Sequence, residues 1–252
     1  MVNKVIVAAA GRGTRMLHLT DERPKHLIEV RGRPFLLYVL ENLSRAGYSE
    51  VILVAGYKKD LVERFISEYL PDGMGKLKVI SVVDQYEKLK PQEKYGTACP
   101  LMLEEVRAFV GGEQFLFISG DNLYSVEDLK AMNVTDGYNY VAGIKHENPE
   151  KYGVLIKDGG DFLEKIIEKP KEFVGDTINA GLYKFTPEVF DKIVQIKKSA
   201  RGEYEITDAI SLLAGEKKVK IMNINDYWHD FGNPEDIKKL SNFLESESNK
   251  GK

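Results

Sequence analysis

Arg15 and Lys25 stand ten residues apart, each in surroundings that restrict it. Arg15 closes the run Ala9-Ala10-Gly11-Arg12-Gly13-Thr14-Arg15. Small residues in a turn let backbone N–H groups approach an anion, and a guanidinium in the same loop can grip a phosphate through two hydrogen bonds. Lys25 lies between Pro24, which fixes the local backbone, and Leu27, Ile28 and Val30, which can anchor in a core. A lysine so confined suits a phosphate ligand. A third charged group, Asp121, follows the apolar run Phe115–Ile118 in Ser119-Gly120-Asp121-Asn122. A carboxylate just past the carboxyl end of a parallel strand sits where α/β sheets bind ligands, and it can hold Mg²⁺ beside phosphates. Taken singly, each group also has an ordinary reading: a tight turn with a surface arginine, a solvated lysine, a helix N-cap. The turn is not a dinucleotide fingerprint, because Met16 stands where the third glycine would be, and no Gly-Lys-Ser/Thr follows to make a Walker A loop.

These groups need a scaffold. Val5–Ala9, Val51–Val54, Val79–Val83 and Phe115–Ile118 read as buried strands. Between them, Phe35, Leu36, Val39, Leu40 and Leu43 recur at helical spacing after Pro34 and before Gly47, and Leu61, Val62, Phe65, Ile66 and Tyr69 form a second amphipathic set. Residues 98–109 read as a further helix. Apolar strands each followed by a helix predict a parallel sheet covered on both faces. The second half differs. Residues 138–145, 152–156, 162–168 and 178–185 read as strands with one clear helix, 187–197, which suggests an α+β portion appended to the sheet. Pro234–Leu244 is an amphipathic helix, and Glu245–Lys252 is a polar tail expected to fray. Residues 84–97 lack periodicity and read as a functional loop or lid.

The run Ala9–Arg15 with Leu19-Thr20 and Pro24-Lys25-His26-Leu27 resembles the signature of the sugar-1-phosphate nucleotidyltransferases, with His18 where that family usually carries proline. Later stretches resemble the family in chain order. Gln85 with Tyr95-Gly96-Thr97-Ala98 is similar to its base-recognition segment, although the spacing from Gln85 to Gly96 is longer than usual. A glutamine amide donates and accepts at once, so it can read a pyrimidine edge, and Gly96 would let backbone reach the base. Tyr152-Gly153-Val154, Glu168-Lys169-Pro170 and Asn179–Tyr183 resemble its sugar-phosphate subsite. Ala200–Asp208 resembles the thymidylyl members, with Thr207-Asp208 also able to start a helix toward Leu213. Trp228–Pro234 is similar to a Trp-x-Asp-x-Gly element.

The resemblance implies a Rossmann-like three-layer αβα nucleotidyltransferase fold (GT-A-like) with a mixed, mainly parallel sheet. It forms one domain over 1–252, with a nucleotide-binding half at 1–135 and a sugar-phosphate-binding half at 136–240. It implies attack of a sugar-1-phosphate on the α-phosphorus of a nucleoside triphosphate, with pyrophosphate leaving. Arg15, Lys25 and Lys169 would be the catalytic cations, and Ala8, Ala9, Ala10, Gly11, Gly13, Thr14, Gln85, Gly96 and Thr97 would bind the nucleotide. Tyr152, Gly153, Glu168 and Asn179 would bind the sugar phosphate, and Asp121 and Asp230 would hold Mg²⁺. Arg-Gly-Glu-Tyr-Glu-Ile-Thr-Asp leans toward dTTP and Ala9-Ala10-Gly11 toward UTP, with dTTP placed ahead. A homo-oligomer is compatible with the family. An appended β-helix acetyltransferase domain is not expected.

Composition agrees with a small anionic ligand. The 252 residues carry 36 Lys+Arg against 39 Asp+Glu, a net charge of −3, which lacks the basic excess that non-specific nucleic-acid binding requires. No apolar run approaches a membrane span. One cysteine, Cys99, excludes an internal disulfide and, with four histidines, makes a structural zinc site an unfavoured reading. A cytoplasmic enzyme is the expectation. The competing functions are a non-catalytic sugar-nucleotide sensor, which should have lost some of these charges, and a cytidylyltransferase for a non-sugar phosphate. A Rossmann dehydrogenase is further off.

Overall fold

The computed structural model describes residues 1–250. The buried strands form where the apolar runs lie: β1 (Lys4–Ala9), β2 (Glu50–Ala55), β3 (Lys78–Asp84) and β4 (Phe115–Ser119). A short β5 (Asn122–Tyr124) follows, then β6 (Asn139–Lys145), β7 (Gly153–Lys157), β8 (Leu163–Glu168), β9 (Thr177–Phe185), β10 (Val219–Asn223) and β11 (Trp228–Asp230). Nine of these make one sheet, ordered β8-β7-β9-β4-β1-β2-β3, with β6 also on β9 and β10 on β6. Pairing is parallel from β4 through β3 and turns antiparallel where β9 meets β4. The second half therefore extends the same sheet rather than forming a separate appendage.

Side chains alternate across the strands into two cores. Val5, Val7, Val51 and Leu53 pack on one face with α1 (Phe35–Arg45), α2 (Lys59–Tyr69), α5 (Val126–Ala131) and α8 (Pro234–Lys250). Ile6, Ile52, Val54 and Phe117 pack on the other with α4 (Glu104–Val110), α6 (Val189–Ile193) and α7 (Ile206–Gly215). Two faces covered by helices make the three-layer αβα architecture. Lys184 ties β9 to the segment that leads into β6. It is fully buried in β9, where it donates to the Asp136 carboxylate and to the Tyr138 carbonyl at 2.6 Å, and burial pushes its ammonium pKa down.

Several elements differ from the sequence expectation. The 84–97 stretch is not all loop: α3 (Gln85–Leu89) forms because Asp84 caps it, accepting from Tyr86 N at 2.8 Å and Glu87 N at 3.0 Å. Pro100 breaks the expected 98–109 helix into a 3₁₀ turn, Cys99–Met102, followed by α4. The 187–197 helix is confined to α6. β3 is an edge strand with Ile80 exposed, so it is not buried on both faces. α8 continues to Lys250 through the segment expected to fray; residues 251–252 lie outside the described residues. No helix among the described residues is long and apolar enough to cross a membrane.

Candidate active site

The first loop leaves β1 and is pinned from below. Met16, the residue that broke the glycine pattern, is fully buried and anchors the loop in the core. Gly13 takes φ +72°, and a Cβ there would lie 2.9 Å from the aliphatic stem of Lys25. Gly13 thus makes room for Lys25 rather than for a phosphate. Arg15 stays exposed, and among the described residues no carboxylate forms an ion pair with it. Gly232 lies beneath its guanidinium, where a Cβ would sit 3.2 Å from Nη2. His18, where the family carries proline, is exposed on the same loop.

Asp121 and Asp230 come together through backbone pairing. β5 and β11 form a two-stranded antiparallel ribbon in which Asn122 faces Asp230, and Phe231 N donates to the Asp121 carbonyl at 2.8 Å. Phe231 stacks on Phe35 of α1 with ring centroids 4.3 Å apart, which fixes the ribbon to the core. Asp121 stands in the turn between β4 and β5, not at a helix cap. Its carboxylate pairs with the Lys25 ammonium, which holds its pKa below the usual range although burial pushes the other way. Asp230 has no such partner among the described residues. Burial and the neighbouring Asp121 charge push its carboxyl up to about 6.

Two adjoining cavities meet at this point. One, of about 310 Å³, is lined by Ala8, Ala10, Gly11, Lys25, Gln85, Gly96 and Thr97 among others. The second, of about 510 Å³, is lined by Tyr152, Gly153, Glu168, Lys169, Asn179 and Asp230 among others. Arg15, Asp121, Ser119 and Thr97 line both. Both volumes are in the range of small-ligand sites. The structure therefore brings together most residues expected of the site. Ala9, Gly13 and Thr14 line neither cavity; Ala9 points into the core.

Gln85 is buried at the first position of α3, with its Oε1 unpartnered. Gly96 takes φ +133°, but its missing side chain admits the Tyr204 backbone, with the Tyr204 carbonyl oxygen 2.3 Å from where a Cβ would be. Replacing Gly96 with alanine should therefore cost about 1–3 kcal/mol or more, read as a lower denaturation midpoint; an unchanged midpoint would show that this seam gives way. Asn179 spends its amide inside a bulge of β9, donating to the Tyr183 hydroxyl at 2.7 Å and accepting from Gly181 N at 3.0 Å. Gly153 faces Glu168 across β7 and β8, where a Cβ would come 2.9 Å from its carboxylate. Burial raises the Glu168 pKa, opposed by Arg201 and Lys169. Lys169 follows β8 at φ +45° and donates its N–H to the Tyr152 carbonyl at 2.9 Å.

Sequence reasoning assigned no ligand role to Ser119, His26, Lys151, Arg201 or Trp228. All but Lys151 fell in stretches with a legible pattern. His26 is buried beside Lys25, with Nδ1 unpartnered. Burial, with the Lys25 charge, pushes its imidazole pKa down to about 3. The unfolded chain takes up this proton near 6.5 and the folded chain does not. The resulting stability is intact above that pH and is lost as pH falls toward about 3. The denaturation midpoint should drop between about pH 7 and about pH 4.5, and His26→Asn should flatten the slope. An equal slope in the variant would exonerate His26.

The cavity's charges bear on a metal. Arg15, Lys151, Lys169 and Arg201 face Asp121, Glu168, Glu203, Glu205 and Asp230. No group of three or more His, Cys, Asp or Glu among the described residues is arranged to hold a metal ion. Two carboxylates, one of them unpartnered, fit the habit of Mg²⁺, which takes one or two protein carboxylates and completes its shell with water and phosphate oxygens.

The model of the family described as nucleotidyl transferase matches residues 4–247, and the chain belongs to that family. Within it, the relatives are sugar-1-phosphate nucleotidyltransferases. A bifunctional sugar-1-phosphate nucleotidylyltransferase/acetyltransferase of Sulfurisphaera tokodaii is 34% identical over 235 residues, covering 93% of this chain and 53% of that protein. The UTP–glucose-1-phosphate uridylyltransferase AglF of Haloferax volcanii is 29% identical over 251 residues, covering 97% of this chain and 98% of that one. A UDP-glucose pyrophosphorylase solved with UDP-glucose shares the fold, with a TM-score of 0.82 over 98% of this chain and 100% of that one at 22% identity. The chain spans about half the length of several curated relatives it matches.

Proposed function

We propose that the protein transfers a nucleotidyl group from a pyrimidine nucleoside triphosphate, dTTP or UTP, to glucose-1-phosphate. The observation that carries this reading is the pair of cavities that meet at Arg15 and Asp121. One is lined by a buried glutamine able to read a pyrimidine edge, the other by Glu168 and Asn179, suited to sugar hydroxyls, and by Lys169, suited to a phosphate. A phosphate oxygen of the sugar-1-phosphate forms a bond to the α-phosphorus as the α–β bridging bond breaks and pyrophosphate departs in line. The attacking phosphate is already dianionic, so no general base is required. The barrier lies in bringing two anions together and stabilising the leaving group, which calls for placed cations. Arg15 grips the β- and γ-phosphates, Lys25 faces the α-phosphate, and Lys169 holds the sugar phosphate. Asp121 and Asp230 would hold Mg²⁺, whose charge offsets that of the phosphate oxygens.

The test is pyrophosphate release with glucose-1-phosphate and Mg²⁺, run in parallel with dTTP, UTP, CTP, ATP and GTP. Release that requires the sugar phosphate and prefers dTTP or UTP supports the reading, and the better of the two fixes the base. Preference for CTP or a purine, or no release with any triphosphate, refutes it.

A further inference from the structure

The two cavities are joined by a polar seam that the chemistry above leaves unused. Residues 95–98 and 203–206 run edge to edge in the wall that the two cavities share, where Thr97, Glu203 and Ile206 line both: Tyr204 N donates to the Tyr95 carbonyl at 2.8 Å, and Ala98 N to the Tyr204 carbonyl at 2.9 Å. Thr97 acts twice here. Its hydroxyl accepts from Ile206 N at 2.9 Å, capping α7 from outside because the N-cap side chain of Glu205 makes no such bond. The same hydroxyl donates to Glu205 Oε2 at 3.4 Å. The other oxygen, Oε1, accepts from Arg201 Nη2 at 2.8 Å and from the Ser199 hydroxyl at 3.2 Å. Glu205 is 6% exposed, while Arg201 reaches the sugar-side cavity with Nη2 3.7 Å from Glu168 Oε1. A buried carboxylate thus holds an exposed guanidinium with one oxygen and is tied through the other to Thr97, which lines both cavities.

We propose that Glu205 is a positioning residue that aims Arg201 at the sugar-phosphate cavity, and that Thr97 ties this arrangement to the nucleotide cavity, so that filling one cavity tightens binding in the other. The inference rests on the assignment of the two cavities under Proposed function. A long arginine side chain loses freedom when it binds an anion. Glu205 removes much of that freedom beforehand. A nucleotide that orders 95–98 also orders 203–206 through the shared backbone bonds, so the second ligand has less left to order.

Trp228 is the single tryptophan and lines the sugar-side cavity, so its fluorescence reads occupancy there without turnover. Glucose-1-phosphate is titrated in metal-free buffer, with and without saturating dTTP or UTP. In the unsubstituted protein the nucleotide should raise affinity about fivefold or more. T97V should bring that ratio close to one, and T97S, which keeps the hydroxyl, should retain it. E205Q should weaken glucose-1-phosphate about tenfold while nucleotide affinity changes less than about twofold. A seam that only supports the fold would lower the melting temperature of T97V and leave the ratio intact, which overturns the proposal, as does binding without coupling in the unsubstituted protein. Absence of any glucose-1-phosphate signal there, with no pyrophosphate release, sinks the cavity assignment itself and this inference with it.

Discussion

Replacing Arg15 with alanine should lower kcat/KM by about 10²–10³-fold, or roughly 3–4 kcal/mol of transition-state stabilisation, while leaving the fold intact. Two features separate the effects. The side chain is exposed, pairs with no carboxylate among the described residues, and projects from a loop whose hold on the core comes from Met16 and Gly13. Deleting it removes little packing. It also lines both cavities, with Asp121 in the same lining and Gly232 beneath it; on the proposed reading this is where charge on a departing pyrophosphate would develop. Arg15→Lys should recover only part of the rate, because an ammonium lacks the two-pronged geometry. Steady-state pyrophosphate release with a denaturation curve on the same sample checks both halves. Near-normal turnover in the alanine variant would remove Arg15 from the chemistry.

Asp121→Asn and Asp230→Asn should both abolish most metal-dependent turnover, by about 10²-fold or more, yet move stability in opposite directions. Asp121 neutralises Lys25, which is 8% exposed and boxed in by its neighbours. An amide there strands the ammonium, at about 3 kcal/mol or more. Asp230 has no cation of its own and faces Asp121 from a half-buried site, so its charge is unfavourable in the folded chain. Neutralising it should stabilise the protein by about 1 kcal/mol, allowing for solvent screening. Urea midpoints in metal-free buffer measure this, and titration of activity with Mg²⁺ measures the other half. Equal destabilisation by the two substitutions would mean that Asp230 has a structural partner. Turnover in Asp230→Asn with an unaltered Mg²⁺ midpoint would mean that it is not a ligand.

The parallel half of the sheet was legible because β1, β2 and β4 are buried on both faces and read as unbroken apolar runs. What escaped was held by single contacts rather than by periodicity. α3 exists through the Asp84 cap, and β5 and β11 are three residues each, joined across a long sequence separation. The site's charged positions carried their own signals, since Lys25, Asp121 and Asp230 sit next to proline, glycine or a strand end and Arg15 closes a glycine-rich turn. Gly13 and Gly96 meet packing demands that the sequence did not reveal, one giving way to Lys25 and the other to Tyr204. A sequence marks where a side chain must be absent without saying what fills the space.

The ribbon that pairs Asp121 with Asp230 also bears on how the protein is made. Asp121 is in place once the central strands have assembled, but its companion arrives with residues 228–231, after every strand of the large sheet has been synthesised. A chain still growing from the ribosome would thus hold a sheet and a nucleotide-sized recess with one carboxylate paired to a lysine. The second carboxylate would be delivered only as Phe231 finds Phe35. The stacking of that aromatic ring is the contact that seats Asp230 beside Asp121.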